Sequence, residues 1–366
     1  MTFGAADHAF MARAFALTRH GRYSATPNPN VGCVIVKDGR IIGEGWHEKA
    51  GDPHAEVNAL RACSEDPRGA TVYVTLEPCA HHGRTPPCVE SLIGAGVARV
   101  VAALDDPNPQ VAGKGLAALR AARIETEVGL MPDEARRIHR GFLARMSRGR
   151  PWVRVKLGVS LDGRTALSNN ASRWITSAEA RRDVHELRAQ SCAVLTGIGT
   201  VLADDPELTV RDVDCRRQPL RVLLDSRLEI QDGARIMQGG SLVIVTATGD
   251  EGRAGALRQR GHEVVRIPTE QAKGKVDLRL MMEALARLEL NDILVETGAR
   301  LNGSLLQAGV VDEIITYIAP SVLGDLARGM FAMGELSTLD QRTRLEFTDV
   351  RQIGPDLRVT ARVVKP

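Results

Sequence analysis

Three side chains of metal-binding type fall in one stretch of the first half of the chain: His54, Cys79 and Cys88. One imidazole and two thiolates leave a tetrahedral zinc with one open position, which is the arrangement of catalytic rather than structural sites. Water in that position is acidified toward neutral pH. Glu56, two residues from His54, is placed to carry its protons. The predicted chemistry is hydrolysis, with one Zn2+ per site and Glu56 as the catalytic residue.

The order His54-Ala55-Glu56, then Pro78-Cys79, matches the H-x-E…P-C pattern of zinc deaminases, which remove an exocyclic amine from a base. One spacing departs. Nucleic-acid deaminases carry P-C-x-x-C, whereas Ala80 to Pro87 separate the two cysteines here.

The elements that must position these groups alternate between strand and helix. Asp7 to His20 reads as an amphipathic helix capped by Asp7 and stopped by Gly21. Val31 to Val36 reads as a buried strand, joined by a Lys37–Arg40 hairpin turn to a second strand ending at Trp46. A helix from His54 to about Cys63 places His54 and Glu56 in its first turn, where the helix dipole favours anions. Thr71 to Leu76 is a strand leading to Cys79, and Pro86-Pro87 opens a helix with Cys88 in its first turn. Val97 to Leu104 is a further strand. Asn28, His47, His81, Asp106 and Asn108 lie in loops at strand ends, where ligands bind in α/β sheets, although Asn and Asp also populate turns for backbone reasons.

Pro132 to Arg145 reads as a helix, and Ser147 to Pro151 breaks it, which divides the chain into 1–147 and 152–366. In the second half Trp152–Leu157, Ala193–Leu195, Leu220–Leu224, Leu242–Thr246 and Ile293–Glu296 read as strands. A helix over Ala178–Gln190 takes Ser177 as its N-cap. Thr196 to Thr200 reads as a loop. Thr297 to Ser304 is a glycine-bearing loop between strand and helix, physically suited to phosphate but lacking a dinucleotide fingerprint, so spacing shows an α/β domain and no more.

The chain has 366 residues, 43% of them hydrophobic, and a formal net charge of +3, enough for a core in each of two domains and no case for a dedicated nucleic-acid or membrane binder. Six cysteines in so long a chain make no disulfide framework. Cys33, Cys63 and Cys192 read as reduced core residues, and Cys215 lies in a polar, exposed run. Free thiols and no secretory leader predict the cytoplasm.

Together these stretches resemble the bifunctional deaminase/reductase family of riboflavin biosynthesis. The resemblance rests on Pro27–Gly32, Gly45-Trp46-His47, Pro53–Glu56, Thr75–Cys79 with His82–Cys88, and Asp106–Pro109. In the second half it rests on Ser160–Arg164, Trp174–Ser177, Val201–Pro206 and Ala319–Gly324. It covers nearly the whole chain, and the long Cys79–Cys88 loop is a feature of the family. It implies a cytidine-deaminase-like three-layer domain followed by a dihydrofolate-reductase-like domain that uses NADPH. The implied substrate is 2,5-diamino-6-ribosylamino-4(3H)-pyrimidinone 5′-phosphate, deaminated first and then reduced at the ribosyl C1′. Homo-oligomers are also implied, with a small pyrimidine ribotide as the other partner.

Carried over by position, the resemblance lines the deaminase pocket with Asn28, His47, His81, Arg84, Asp106 and Asn108. Lys156, Ser172, Arg188, Leu208, Arg211 and Glu296 would hold the reductase substrate. Gly158, Trp174, Thr200, Asp204 and Ser226 would hold NADPH, together with Gly298, Ala299, Arg300, Leu301, Asn302, Gly303 and Ser304. Thr297 stands where the family usually has a second glycine, and its side chain would crowd the pyrophosphate loop. Two alternatives stay open at this point. One is a tRNA or nucleoside deaminase with an unrelated appended domain. The other is a zinc-stabilised sensor without turnover, which would have no use for an unligated Glu56.

Overall fold

Strands and helices alternate along the chain and sort into two units, Met1–Arg150 and Pro151–Pro366, in a computed structural model that describes residues 3–82, 86–215, 217–267 and 274–364. The first unit runs α1 (Ala5–Gly21), β1 (Gly32–Lys37), β2 (Arg40–Trp46), α2 (Ala55–Arg61), β3 (Thr71–Val74), α3 (Cys88–Ala95), β4 (Arg99–Ala102), α4 (Lys114–Ala121), β5 (Glu125–Val128) and α5 (Pro132–Arg148). Its sheet has the order β2-β1-β3-β4-β5; β1 is antiparallel to both neighbours, and β3, β4 and β5 are parallel. Two apolar clusters line it. One holds Ile35, Val72, Val74 and Val100 with α2 and α3, and the other holds Val34, Tyr73 and Val101 with α1. Alternate residues of the same strands therefore face opposite clusters, which makes the layered sandwich.

The hairpin turn forms as expected, with Lys37 opposite Arg40 and both Asp38 and Gly39 at positive φ. Two boundary expectations are corrected. Asp7 is not the N-cap but the third helical residue, where its carboxylate accepts the Gly4 N–H at 2.9 Å and bonds Tyr73 and Arg99. Gly21 does not stop α1 in a left-handed conformation; it is the last helical residue, and a Cβ there would lie 2.3 Å from the His47 carbonyl oxygen. The close approach requires the glycine. His139 on α5 is a buried ring that donates from Nε2 to Thr75 O at 3.2 Å and, among the described residues, has no partner at Nδ1. Burial pushes its pKa down to about 4 from an ordinary 6.5. The neutral ring stabilises the fold fully above the unfolded value, and that contribution is lost as pH falls toward the folded one. The swing is on the order of 3 kcal/mol. Urea midpoints measured between pH 7 and pH 4.5 should fall, and less steeply in His139→Asn.

The second unit runs β6 (Trp152–Ser160), β7 (Arg164–Ala166), α6 (Ala178–Gln190), β8 (Ala193–Gly197), α7 (Ile198–Asp204), β9 (Leu220–Leu224), β10 (Leu242–Thr246), α8 (Glu251–Gln259) and β11 (Glu263–Arg266). It continues with α9 (Leu278–Arg287), β12 (Asp292–Val295), α10 (Ala299–Gln307), β13 (Glu313–Ala319), β14 (Arg328–Gly329), β15 (Leu345–Ile353) and β16 (Asp356–Val363). The main sheet has the order β11-β10-β9-β8-β12-β6-β13-β16-β15, parallel from β11 to β13, with β16 and β15 antiparallel at one edge. Ser177 caps α6 by accepting the Ala180 N–H. Within the Thr196–Thr200 stretch read as a loop, Ile198 instead opens helix α7, which runs to Asp204. Apolar residues fill both faces of the sheet, with Val153, Val155, Leu195 and Val295 in one cluster and Val194, Leu223 and Ile244 in the other.

All six cysteines are free. Cys33 and Cys192 are buried as expected, whereas Cys215 is half-buried, with its thiol 2.7 Å from Arg217 O. Among the described residues no helix is long and apolar enough to cross a membrane.

Candidate active sites

The strand ends and helix starts of the first unit bring His54, Cys79 and Cys88 together. His54 is the N-cap of α2, Cys88 is the first residue of α3 with Pro87 as its N-cap, and Cys79 lies in the loop after β3. His54 Nδ1 is 3.5 Å from Cys79 Sγ and 3.3 Å from Cys88 Sγ, and all three ligand atoms lie within 4.8 Å of one another. For zinc bonds of ordinary length a tetrahedral N···S edge is about 3.6 Å. The donor set therefore fits a zinc ion in both chemistry and spacing. The Cys88 N–H, at the start of α3, donates to Cys79 Sγ at 3.3 Å, so the helix end supports the thiolate.

Electrostatics agree. The Cys88 thiol's hydrogen bond, with help from His54, holds Cys79 far below the ordinary thiol range, while Cys88 is pushed up by Cys79 and by burial. Both directions favour the thiolate on Cys79 over Cys88. Glu56 is 3% exposed, in the first turn of α2. Burial and the Cys79 charge push its carboxyl up to about 7, and a metal dication nearby would draw it back down. The helix carrying His54 and Glu56 can sit this close to β2 because of two glycines: a Cβ on Gly45 would lie 2.3 Å from Ala55 O, and one on Gly43 would lie 2.4 Å from Ala59 O.

His47 packs edge-on to His54, with ring centroids 5.2 Å apart. Its Nδ1 lies 3.2 Å from Pro53 O and its Nε2 lies 3.1 Å from Asn28 Nδ2. The ring therefore donates to the carbonyl and accepts from the amide, and burial lowers its pKa, which favours that neutral form. His81 is half-buried within the loop between the two cysteines, and its buried Nδ1 has no partner among the described residues. Asp106 is buried and Asn108 half-buried in the loop after β4, with the Asn108 N–H on Asp106 Oδ1 at 2.8 Å. Arg84 lies outside the described residues. Glu77, to which sequence reasoning gave no role, is buried with both oxygens on backbone N–H groups of that same loop and of α4. Its place in the Thr75–Cys79 run was the one available signal.

In the second unit the parallel strands end on a common edge, which carries the expected residues in three groups. The first is an ion cluster: Glu296, just after β12, takes Arg188 at 2.5 and 3.0 Å and Lys156 at 3.0 Å. Burial opposes ionisation of Glu296, but the Arg188 and Lys156 cations outweigh it and hold the carboxyl well below its usual range. Arg188 also donates to Thr209 O at 2.9 Å, next to buried Leu208, while exposed Arg211 is held by Glu207 at 2.8 Å.

The second group is a pair of helix starts. Gly197 and Gly298 are the N-caps of α7 and α10, neither with a side-chain cap, and Thr200 and Thr297 hydroxyls lie 3.4 Å apart between them. Uncapped first-turn N–H groups of this kind suit the phosphates of NADPH. The Thr297 hydroxyl would also lie 3.4 Å from a Cβ on Gly197. Ala299 and Leu301 are half-buried here, and Arg300 and Ser304 are exposed. Asn302 is fully buried with its amide on Thr297 O and Met330 O, and a Gly303 Cβ would lie 2.2 Å from Ala332 O. Both pack the loop from inside.

The third group is looser. Trp174 is exposed, with the Arg181 guanidinium 4.3 Å from its ring, and Arg173 bonds Asp204 O at 2.7 Å. A Gly158 Cβ would lie 3.3 Å from Thr176 Cγ2, close to that same turn. Ser226, just after β9, accepts from Thr246, Ala247 and Thr248 through its carbonyl. Ser172 is half-buried.

An open-position zinc site in one α/β unit and a phosphate-suited strand edge in the other define a zinc-type deaminase joined in one chain to a nucleotide-cofactor reductase. Family models divide the chain in the same way: "Cytidine and deoxycytidylate deaminase zinc-binding region" matches residues 5–104, and "RibD C-terminal domain" matches residues 151–359. The riboflavin biosynthesis protein RibD of Escherichia coli K12 is 50% identical over 363 residues, covering 96% of this chain and 98% of its own length. The structure of Acinetobacter baumannii RibD, 44% identical, superposes with a TM-score of 0.91 over 98% of this chain and 99% of that one. A Thermotoga maritima diaminohydroxyphosphoribosylaminopyrimidine deaminase/5-amino-6-(5-phosphoribosylamino)uracil reductase, 32% identical, gives 0.86 over 98% of this chain and 99% of that one. The chain belongs to the RibD family, the bifunctional deaminase/reductases of riboflavin biosynthesis.

Proposed function

We propose that residues 1–147 deaminate 2,5-diamino-6-ribosylamino-4(3H)-pyrimidinone 5′-phosphate. Residues 152–366 then reduce the ribosyl group with NADPH, giving 5-amino-6-(5-phosphoribitylamino)uracil. The observation that carries this reading is the His54, Cys79 and Cys88 cluster with buried Glu56 beside it. Zinc held by those three residues would supply acidification of a water at the open position. Glu56, buried beside them, is the group placed to accept a proton and to pass protons to the departing ammonia. His47, held neutral, fixes the Asn28 amide so that its carbonyl oxygen is left to accept from the base. His81, Asp106, Asn108 and Arg84 complete the pocket in this reading.

NADPH supplies the hydride for the second reaction. Uncapped N–H groups at the starts of α7 and α10 would take its phosphates, with Thr200, Gly158, Trp174, Asp204, Ser226 and the exposed part of the 298–304 loop around it. Lys156, Arg188 and Glu296 form a rigid charged floor for the sugar phosphate, and Ser172, Leu208 and Arg211 border it. Chelating the metal tests the division. Ammonia release should vanish and return with added Zn2+, while NADPH oxidation on pre-deaminated substrate continues. Ammonia release that persists in metal-free protein would sink the reading.

The free thiols fit a reducing cytoplasm. A homo-oligomer fits the edge strand β15, nine residues long with Leu345, Phe347 and Val350 exposed. Light scattering that returns the mass of one chain would overturn that assembly.

A further inference from the structure

Glu77 precedes the Pro78-Cys79 ligand segment, and its N–H bonds Leu104 O at 2.9 Å, so its backbone is fixed between β3 and the end of β4. Its side chain is 4% exposed and has no cationic partner within salt-bridge distance among the described residues. Instead the carboxylate bonds three backbone N–H groups: Asp106 at 3.1 Å and Gly113 at 3.1 Å on Oε2, and Leu116 at 3.2 Å on Oε1. A buried carboxylate needs such donors. The donors need it equally, because the N-cap of α4 is Gly113, which has no side chain to cap the first turn. Glu77 supplies that cap from a distance, at the positive end of the helix.

From this anchor the loop is set link by link. Asp106 Oδ1 accepts the Asn108 N–H at 2.8 Å, and Asn108 Oδ1 accepts the Gln110 N–H at 3.1 Å. The Asn108 carbonyl takes Val111 and Ala112 at 2.8 and 2.9 Å, and Lys114 closes back on Pro109 O at 3.0 Å. Gly115 lets α4 sit on the ligand segment, since a Cβ there would lie 2.0 Å from Pro78 O. Every one of these bonds except the anchor is local to the loop. Among the described residues, only the Glu77 carboxylate hydrogen-bonds this loop to the segment that carries Cys79.

We propose that Glu77 is the positioning residue of the deaminase half, setting the Asp106–Gln110 loop against the zinc-ligand segment so that Asp106 and Asn108 meet the substrate. This rests on the deaminase reading above. In Glu77→Gln one carboxylate oxygen becomes an NH2 group facing N–H donors, so the shape stays while the bonds fail. KM for the pyrimidine ribotide should rise roughly tenfold with a smaller change in kcat. Bound zinc and NADPH oxidation on pre-deaminated substrate should stay at wild-type levels. Hydrogen exchange in residues 105–116 should speed up, and Glu77→Asp, which keeps the charge, should fall between the two proteins in both readouts.

Wild-type exchange and wild-type KM in Glu77→Gln would overturn the proposal. So would zinc loss in proportion to activity, which would make Glu77 a support for Cys79 alone, and so would a melting-temperature drop with KM unchanged. If Glu77→Gln does not fold, an unchanged KM and exchange in Glu77→Asp overturns it in the same way. A wild-type protein that releases no ammonia would sink the deaminase reading instead, with the exchange readout still deciding the loop anchor.

Discussion

Glu56→Gln should lower ammonia release from the diaminopyrimidinone ribotide by roughly 10³-fold, the range of a lost general acid–base. The three zinc ligands are untouched, so metal analysis should return wild-type zinc, and the glutamine amide fills the same buried space. NADPH oxidation on pre-deaminated substrate should be unchanged, because none of the groups expected to act there lies in the first unit. The size of the effect follows from burial: Glu56 is 3% exposed, so bulk water cannot replace it as proton carrier. Residual ammonia release within tenfold of wild type would remove Glu56 from its role and pass the proton transfer to His47 or Asp106.

Glu296→Gln carries the second large effect, in the other half. It leaves the Lys156 and Arg188 cations in a largely buried place with their shared carboxylate gone. Removing one partner of a buried ion cluster costs about 3–5 kcal/mol. The second unit should therefore melt well below the wild type, and NADPH oxidation should fall even at temperatures where the variant is folded, while ammonia release persists. Arg188 would keep only its bond to Thr209 O, so the 207–211 segment should loosen with it. Calorimetry together with the two separate assays reads all three consequences. Unchanged NADPH oxidation in a folded Glu296→Gln protein would place the sugar phosphate elsewhere.

Local rules read much of this chain correctly where local chemistry decides the structure. The Asp38-Gly39 turn and the Ser177 cap each depend on residues within a few positions. The strands over 220–224 and 242–246 were legible as short apolar runs, since parallel strands covered on both faces carry no alternation. Strand β15 was not legible, because it is exposed along most of its length and has neither an apolar run nor a sustained period of two, whereas its partner β16 does alternate at Leu357, Val359, Ala361 and Val363. Helix α7 was hidden by its glycines, and its seven residues are too few for a helical period to show. For the zinc cluster, ordered spacing named the three ligands and the structure brought them together. For the ion cluster spacing was silent, since Arg188 and Glu296 are 108 residues apart, and only the family resemblance named them. Glu77 was missed for a related reason: its partners are backbone groups 29, 36 and 39 residues away, and backbone groups leave no mark on a sequence.

The two-site account is tested most directly by a paired assay on purified, zinc-replete protein with the diaminopyrimidinone ribotide. Ammonia is followed first without cofactor, and NADPH absorbance is followed after NADPH is added. The account predicts ammonia release on its own, then NADPH loss in proportion to the ammonia already released. Ammonia without NADPH loss would contradict the reductase half, and neither signal would contradict the account as a whole.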